Sequence, residues 1–317
     1  MIANRSHRHA GPGRSRPLPN TRQRGIAFLI VLWVIALVAV LMGSFAVIAR
    51  TENLQARHLL DSTRARYAAE AGINLAAYAL RRNEPDKRWV PDGRPYKFSF
   101  NDAIITIKVH DESGKIDVNA ATPEQLQQLF KSVGGLDEQK AQELAARVQD
   151  WRDPDDLVTV NGAEEADYKQ DGLAYGPANN PFTTVGELQQ VMGMDYALFK
   201  KLEPAITVYS GRGTPNPMYA PEQALMAMPG MSAESAQNLI EMRQQIAPGT
   251  DTGISGLTMP DGTPLIASGG GLTYSIESNA RLPNGASSSL DVTIRLGGSN
   301  SGARPFVIMR WREGDRS

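Results

Sequence analysis

The sequence predicts an α+β chain: a long N-terminal helix, then an antiparallel sheet split around a large all-helical insertion. Three observations point there. An uncharged apolar run near the N-terminus continues into a proline-free stretch of helical period. Segments of alternating polarity appear both early and late in the remaining chain. Between them, the hydrophobic period changes to that of helices.

Ile26 to Ala49 is 24 residues without a charge, and about 20 apolar residues cross a bilayer as a helix. A secretory signal has a shorter apolar core followed by a small-residue cleavage site, and Ala46-Val47-Ile48-Ala49 does not supply one. Residues 1–25 carry six arginines and no acid. The positive-inside rule keeps such a leader cytoplasmic and places the C-terminal part across the membrane. From Arg50 to Arg82 there is no proline, and Gly72 is the one interior glycine. Leu54, Leu59, Tyr67, Ile73 and Leu80 recur at roughly helical spacing. Read as one helix, Ile26–Arg82 is roughly 85 Å long at 1.5 Å per residue. Ala68, Ala69, Ala71 and Ala76 form a small-residue stretch that suits close packing against partner helices.

Asn83 to Pro95, rich in Pro, Asp and Gly, reads as a linker. Tyr96–Phe100 and Ala103–Val109 alternate as strands around an Asn101-Asp102 turn. At Thr122-Pro123 a helix begins with Thr122 as cap, and Asp137 caps a second one running to Trp151. A weak repeat follows. Gly135-Leu136, Gly193-Met194 and Gly230-Met231 each sit between helical segments. Strands resume at Leu272–Ser278, Ser289–Leu296 and Pro305–Trp311. The resulting segments are a basic leader at 1–25, a membrane and stalk helix at 26–82, linker and first strands at 83–115, a helical insertion at 116–250, and a loop with the last strands at 251–317.

Composition excludes several chemistries. The chain has no cysteine and only four histidines, none at metal-ligand spacing. No Gly-x-Ser-x-Gly, His-Glu-x-x-His or Walker pattern occurs, so the sequence lends catalysis little support. The repeated helix–hairpin–helix units raise a membrane-anchored DNA receptor as an alternative, and a one-span envelope enzyme is another. Residues 116–250 hold 9 Lys or Arg against 19 Asp or Glu, a balance that repels phosphate; no nucleic-acid partner is expected.

One polar constellation stands out. Asp150 to Tyr168 carries seven carboxylates and a single cation, Arg152. Such density repels itself unless solvated or neutralised by a cation. Asp153, Asp155 and Glu164 stand at relative positions 1, 3 and 12 of an EF-hand loop, but Leu157 and Val158 break that pattern at positions 5 and 6.

Gly25 ends the basic leader and abuts the apolar run, which resembles a type IV prepilin cleavage site. Ile30 stands where most pilins carry a glutamate, at the fifth mature position. With the acidic Asp-Trp-x-Asp-x-Asp stretch and Gly162-Ala163-Glu164, these features make the chain resemble the minor pseudopilin K of type II secretion systems, the general secretion pathway protein K family. The resemblance implies cleavage between Gly25 and Ile26 by prepilin peptidase and methylation at Ile26. It implies a single-pass inner-membrane protein with its body in the periplasm. It also implies structural Ca2+ held by Asp153, Asp155, Glu164 and Asp167. The implied partners are the minor pseudopilins I and J and other pseudopilus subunits, reached through Ile30 and the alanine face. The implied role is to initiate and cap the pseudopilus tip.

Overall fold

A computed structural model describes residues 24–248, 258, 262, 269–297 and 305–314. Expectations for leader residues 1–23, and for most of the loop at 251–271, fall outside the described residues. The chain divides into two compact units, residues 1–59 and 60–317, and one helix, α1 (Arg24–Leu80), runs through the boundary.

Within the first unit, α1 is apolar and solvent-facing: Phe28, Ile30, Trp33, Leu37 and Phe45 are all exposed. It is long and apolar enough to cross a membrane. Its hydroxyls are satisfied internally, Ser44 Oγ donating to the Val40 carbonyl at 2.9 Å and Thr51 Oγ1 to that of Val47 at 3.0 Å. Such back-bonding spares the bilayer core an unpaired polar group.

The second unit contains a five-stranded antiparallel sheet of order β1-β2-β5-β6-β7. The strands are β1 (Asp92–Phe100), β2 (Ala103–Asp111), β5 (Thr273–Arg281), β6 (Ser287–Leu296) and β7 (Phe306–Glu313). Asn101 adopts φ 49° in the tight β1–β2 turn, a conformation that Asn tolerates and branched residues do not. Alternation is clean along β2, where Ile105, Ile107 and Val109 point to one face and are wholly buried. With Ile276, Leu290, Val292 and Ile294 they form a floor on which the C-terminal part of α1 lies.

That packing corrects the reading of the alanines. Ala68, Ala69 and Ala76 are 3%, 0% and 0% exposed and belong to the core between α1 and the chain's own sheet; Ala71 is half-buried. Ala68, Ala69 and Ala76 are thus covered by the chain's own sheet and are not open to a partner helix. Gly72 shows why the stretch is small. A Cβ there would collide with Ser278 Oγ and sit 3.0 Å from Ile105 Cγ2, while Ser278 Oγ donates to the Ala69 carbonyl at 2.8 Å.

The linker at 83–95 is also shorter than read. Asp92 is 3% exposed and already in β1, paired with His110, and Pro95 pairs with Lys108. Pro95 is tolerated because β1 is an edge strand. Arg94 holds the segment in place. It grips Asp92 through Nε at 2.9 Å and Nη2 at 2.7 Å, and donates to the carbonyls of Ile246 and Arg243.

Between β2 and β5 lies a separate core built by helices α2 (Pro123–Ser132), α3 (Glu138–Arg152), α4 (Glu165–Gln170), α5 (Tyr196–Leu202), α6 (Glu222–Met226) and α7 (Ala233–Gln245). Two short parallel strands, β3 (Ile116–Asp117) and β4 (Ile206–Thr207), pair within it. The weak sequence repeat has a local physical origin. Gly135, Gly193 and Gly230 have φ of 77°, 92° and 74°, the left-handed region glycine enters without strain. Two residues after each glycine comes the next helix cap. Asp137 accepts from the Lys140 amide at 2.9 Å, Asp195 from Leu198 at 2.7 Å, and Ser232 from Ser235 at 3.1 Å. The third echo departs from its siblings: Val185–Gln190 ahead of Gly193 is a 3-10 helix rather than an α-helix.

A candidate metal site in the acidic loop

The loop between α3 and α4 begins where α3 is most firmly held. Trp151 is 2% exposed and lies among Tyr168, Tyr175 and Phe182, with ring centroids 5.9–6.5 Å apart. Tyr168 is fully buried and its hydroxyl accepts from the Met192 amide at 3.0 Å. Arg152, the loop's one cation, turns back into the module, donating to the carbonyls of Val118 and Ala121. It therefore neutralises none of the loop's carboxylates by direct contact.

Asp150 is completely buried and fully engaged. It accepts from Thr159 Oγ1 at 2.6 Å, the Thr159 amide at 3.3 Å and the Ala163 amide at 2.8 Å. Asp155 caps a small turn by accepting from the Leu157 amide at 2.9 Å. Asp156 accepts from the side-chain amide of Asn179 at 2.7 Å. Asp167 accepts from the Glu164 amide at 2.9 Å, closing the first turn of α4.

Three oxygens in this region are buried without a hydrogen-bond partner: Asp153 Oδ1, Glu164 Oε1 and Asn179 Oδ1. Glu164 is 6% exposed. Burial, and then the negative charges of Asp150, Asp153, Asp156 and Asp155, push its carboxyl up to about 7. Asp153 is raised too, by burial first and then by Asp150 and Asp155. A buried oxygen without a donor is costly, and what relieves several of them at once is a hard cation. Among the described residues no three His, Cys, Asp or Glu side chains stand close enough to hold an ion as they lie. The chemistry of the orphaned oxygens nevertheless fits Ca2+, which takes carboxylate and neutral carbonyl oxygens alike.

Of the residues singled out from sequence, Asp153 and Glu164 are those with orphaned oxygens. Asp155 and Asp167 each have an oxygen occupied by a backbone amide. Asn179 was missed, since nothing in the sequence links it to a loop more than 20 residues earlier. Asp150 was visible only as one of seven acids. The Asn161-Gly162 turn was a usable signal. Asn161 has φ 68°, and a Cβ on Gly162 would collide with the Asp150 carboxylate.

A pH experiment follows from Glu164. Its carboxyl lies higher in the folded state than the ordinary 4.5. Between about 4.5 and 7 the folded state thus binds more protons than the unfolded, and folded stability falls as pH rises. A bound cation needs the ionised form and offsets that loss. The rise in melting temperature on adding calcium, over that in EDTA, should therefore be larger at pH 8 than at pH 5. A calcium effect that is absent, or equal at both pH values, would count against the site.

Two other charged clusters join the helical module to the sheet. Glu112, 2% exposed, accepts from Lys115 Nζ at 2.7 Å, from Ser275 Oγ at 2.6 Å and from Thr207 Oγ1. Arg243, also 2% exposed, donates to the carbonyls of Pro217 at 2.8 Å and Asp92 at 3.4 Å. At two of the hairpins, the Lys140 and Leu198 amides in the first turns of α3 and α5 are taken by Asp137 and Asp195.

Residues 104–211 match the family described as type II secretion system (T2SS), protein K. The chain is 31% identical over 207 residues to type II secretion system protein K of Klebsiella pneumoniae, a match covering 59% of this chain and 63% of that one. It is 24% identical over 281 residues to the protein of the same name from Dickeya chrysanthemi, covering 70% and 78%. The matched stretch thus spans just under two thirds of the first of these relatives. The fold is similar, at a TM-score of 0.56 and 18% identity, to a chain in the crystal structure of the GspK–GspI–GspJ complex from the enterotoxigenic Escherichia coli type 2 secretion system, covering 84% of this chain and 99% of that one. Residues 104–211 thus match the type II secretion system protein K domain, and the chain is similar in sequence to curated proteins of that name and in fold to a solved chain.

Proposed function

We propose that this chain is a minor pseudopilin that initiates and caps the tip of the type II secretion pseudopilus, in complex with the minor pseudopilins I and J. The observation that carries this reading is the second core, inserted between β2 and β5. A shaft subunit has neighbours above and below, and a module of this size would obstruct the one above; at the tip there is none. The fold shared with a chain of a GspK–GspI–GspJ complex supports the choice of partners.

The chain is anchored in the inner membrane by the exposed apolar part of α1, with its body in the periplasm. Gly25 and Ile26 lie in the first turn of α1, both exposed, and Gly25 has open space around its Cα. Prepilin peptidase cleaves there and Ile26 becomes the methylated N-terminus. Ile30 is exposed. As the first subunit in an assembly, this chain has no preceding amine for a fifth-position carboxylate to pair with, and an unpaired buried carboxylate is costly. An apolar Ile30 avoids that cost. Calcium, held by Asp153, Asp155, Glu164 and Asp167, has a structural role in the helical module. The family's role is one of assembly, and no catalytic step is assigned.

One preparation tests the reading. Pseudopili recovered from cells that contain the peptidase should carry this subunit at far lower stoichiometry than the major pseudopilin. Its mass should begin at methylated Ile26, and Gly25→Val should leave the full-length precursor in the membrane. Even distribution along the shaft, or a mature protein that retains residues 1–25, would refute it.

A further inference from the structure

We infer that Asp150 and Thr159 form a non-ligating latch that sets the acidic loop for calcium; this rests on the metal reading given above. Asp150 sits in the last turn of α3, so its carboxylate is carried by a helix that the Trp151 ring cluster holds fixed. Its hydrogen bonds span the loop. Thr159 is bound by both amide and hydroxyl, and Ala163 by its amide. Ala163 directly precedes Glu164, so the bond at 2.8 Å fixes the backbone from which the Glu164 carboxylate projects. On the other side Asp153 follows Asp150 by three residues, at the C-terminal cap of α3. The latch thus sets the separation of the two residues whose oxygens are orphaned, Asp153 and Glu164. The turn it grips is tight, with the Gly162 amide donating to the Thr159 carbonyl at 2.8 Å. Side-chain bulk at Gly162 would displace the Asp150 carboxylate.

Asp150 is a positioning residue here because its donors are already in place without an ion. Both its oxygens accept hydrogen bonds. Glu164 Oε1, by contrast, has no hydrogen-bond partner. Ordering the loop in advance removes part of the entropy that binding would otherwise have to offset. Outer-shell groups of this kind typically alter metal affinity by about 10–100-fold.

The test separates positioning from charge. Thr159→Val removes the hydroxyl donor and leaves every carboxylate untouched. With the full chain in detergent, calcium affinity is measured by titration calorimetry and by terbium luminescence sensitised through Trp151. Thr159→Val should weaken binding by about tenfold, and Thr159→Ser, which keeps the hydroxyl, should restore it. Asp150→Asn should weaken it at least as much. Proteolysis of the loop in EDTA should speed up in Thr159→Val and Asp150→Asn alike. If Asp150→Asn weakens binding while Thr159→Val binds like wild type, Asp150 acts as a charge or a ligand and the latch is wrong. If Asp150→Asn fails to fold, the Thr159 pair alone decides. A wild-type chain that takes up no calcium at millimolar concentration overturns the metal reading itself, and the latch with it.

Discussion

Replacing Glu112 with alanine is expected to destabilise the body of the protein by about 3–5 kcal/mol, the usual result of removing one member of a buried ion pair. The loss comes from what is left behind. Lys115 Nζ would be stranded in a nearly closed site, and the hydroxyls of Ser275 and Thr207 would lose their shared acceptor. Those three donors come from the turn after β2, from β5 of the sheet and from β4 of the helical module. The module should therefore loosen from the sheet before either core melts. Urea unfolding followed by tryptophan fluorescence should show an earlier midpoint and a separate transition. Burial alone would push the Glu112 carboxyl up; Lys115 and the hydroxyls outweigh it and hold the group below its ordinary range. The stabilisation is then present above that range and is lost as pH falls through the lowered folded value. Replacing Glu112 and Lys115 together with Leu and Met should recover most of the loss. A single alanine variant within 1 kcal/mol of wild type would mean that water reaches the site.

The second large effect is expected at Gly72. Glycine inside a helix costs about 1 kcal/mol relative to alanine, yet here it permits α1 to approach β2 and β5. Gly72→Leu should cost about 3 kcal/mol, at the upper end of what overpacking usually does. The new side chain must displace Ser278, and with it the hydrogen bond to the Ala69 carbonyl. Gly72→Ala should destabilise the chain as well, despite alanine's better helix propensity. Denaturant midpoints of the two variants, compared with a glycine-to-alanine change at exposed Gly43, check the sign. An unchanged or raised midpoint for Gly72→Ala would show that the helix can shift without cost.

Local chemistry was legible in the sequence wherever it is decided locally. The caps at Thr122 and Asp137 and the turn at Asn101-Asp102 follow from residues within four positions of one another. Alternation placed the strands for the same reason. What could not be read was which surface meets which. Ala69 and Ala76 look the same in sequence whether they face a partner helix or Ile105 and Ile107. Only the strand pairing, set by residues some 200 positions away, decides. The start of β1 was hidden in the same way, because Arg94 draws Asp92 into the sheet through carbonyls at the far end of α7. In the acidic loop, the excess of negative charge was legible. The division of labour among the acids rested on contacts with Thr159, Ala163 and Asn179, and so did not show.

Strands β2 and β5 are hydrogen-bonded neighbours, Asp111 opposite Tyr274, although about 160 residues separate them in the chain. In topological terms they form an ordinary hairpin whose turn has been replaced by a whole domain. Closing so long a loop as random coil, rather than one of about four residues, adds five doublings of length and about 3 kcal/mol of entropy. A folded insert whose ends already lie together removes most of that barrier. Here the two ends are joined directly, the Gly271 amide donating to the Asp111 carboxylate at 2.8 Å. The kinetic order that this favours is insert before sheet. The pilin-like body then forms around a module that has already brought its two strands to the same place.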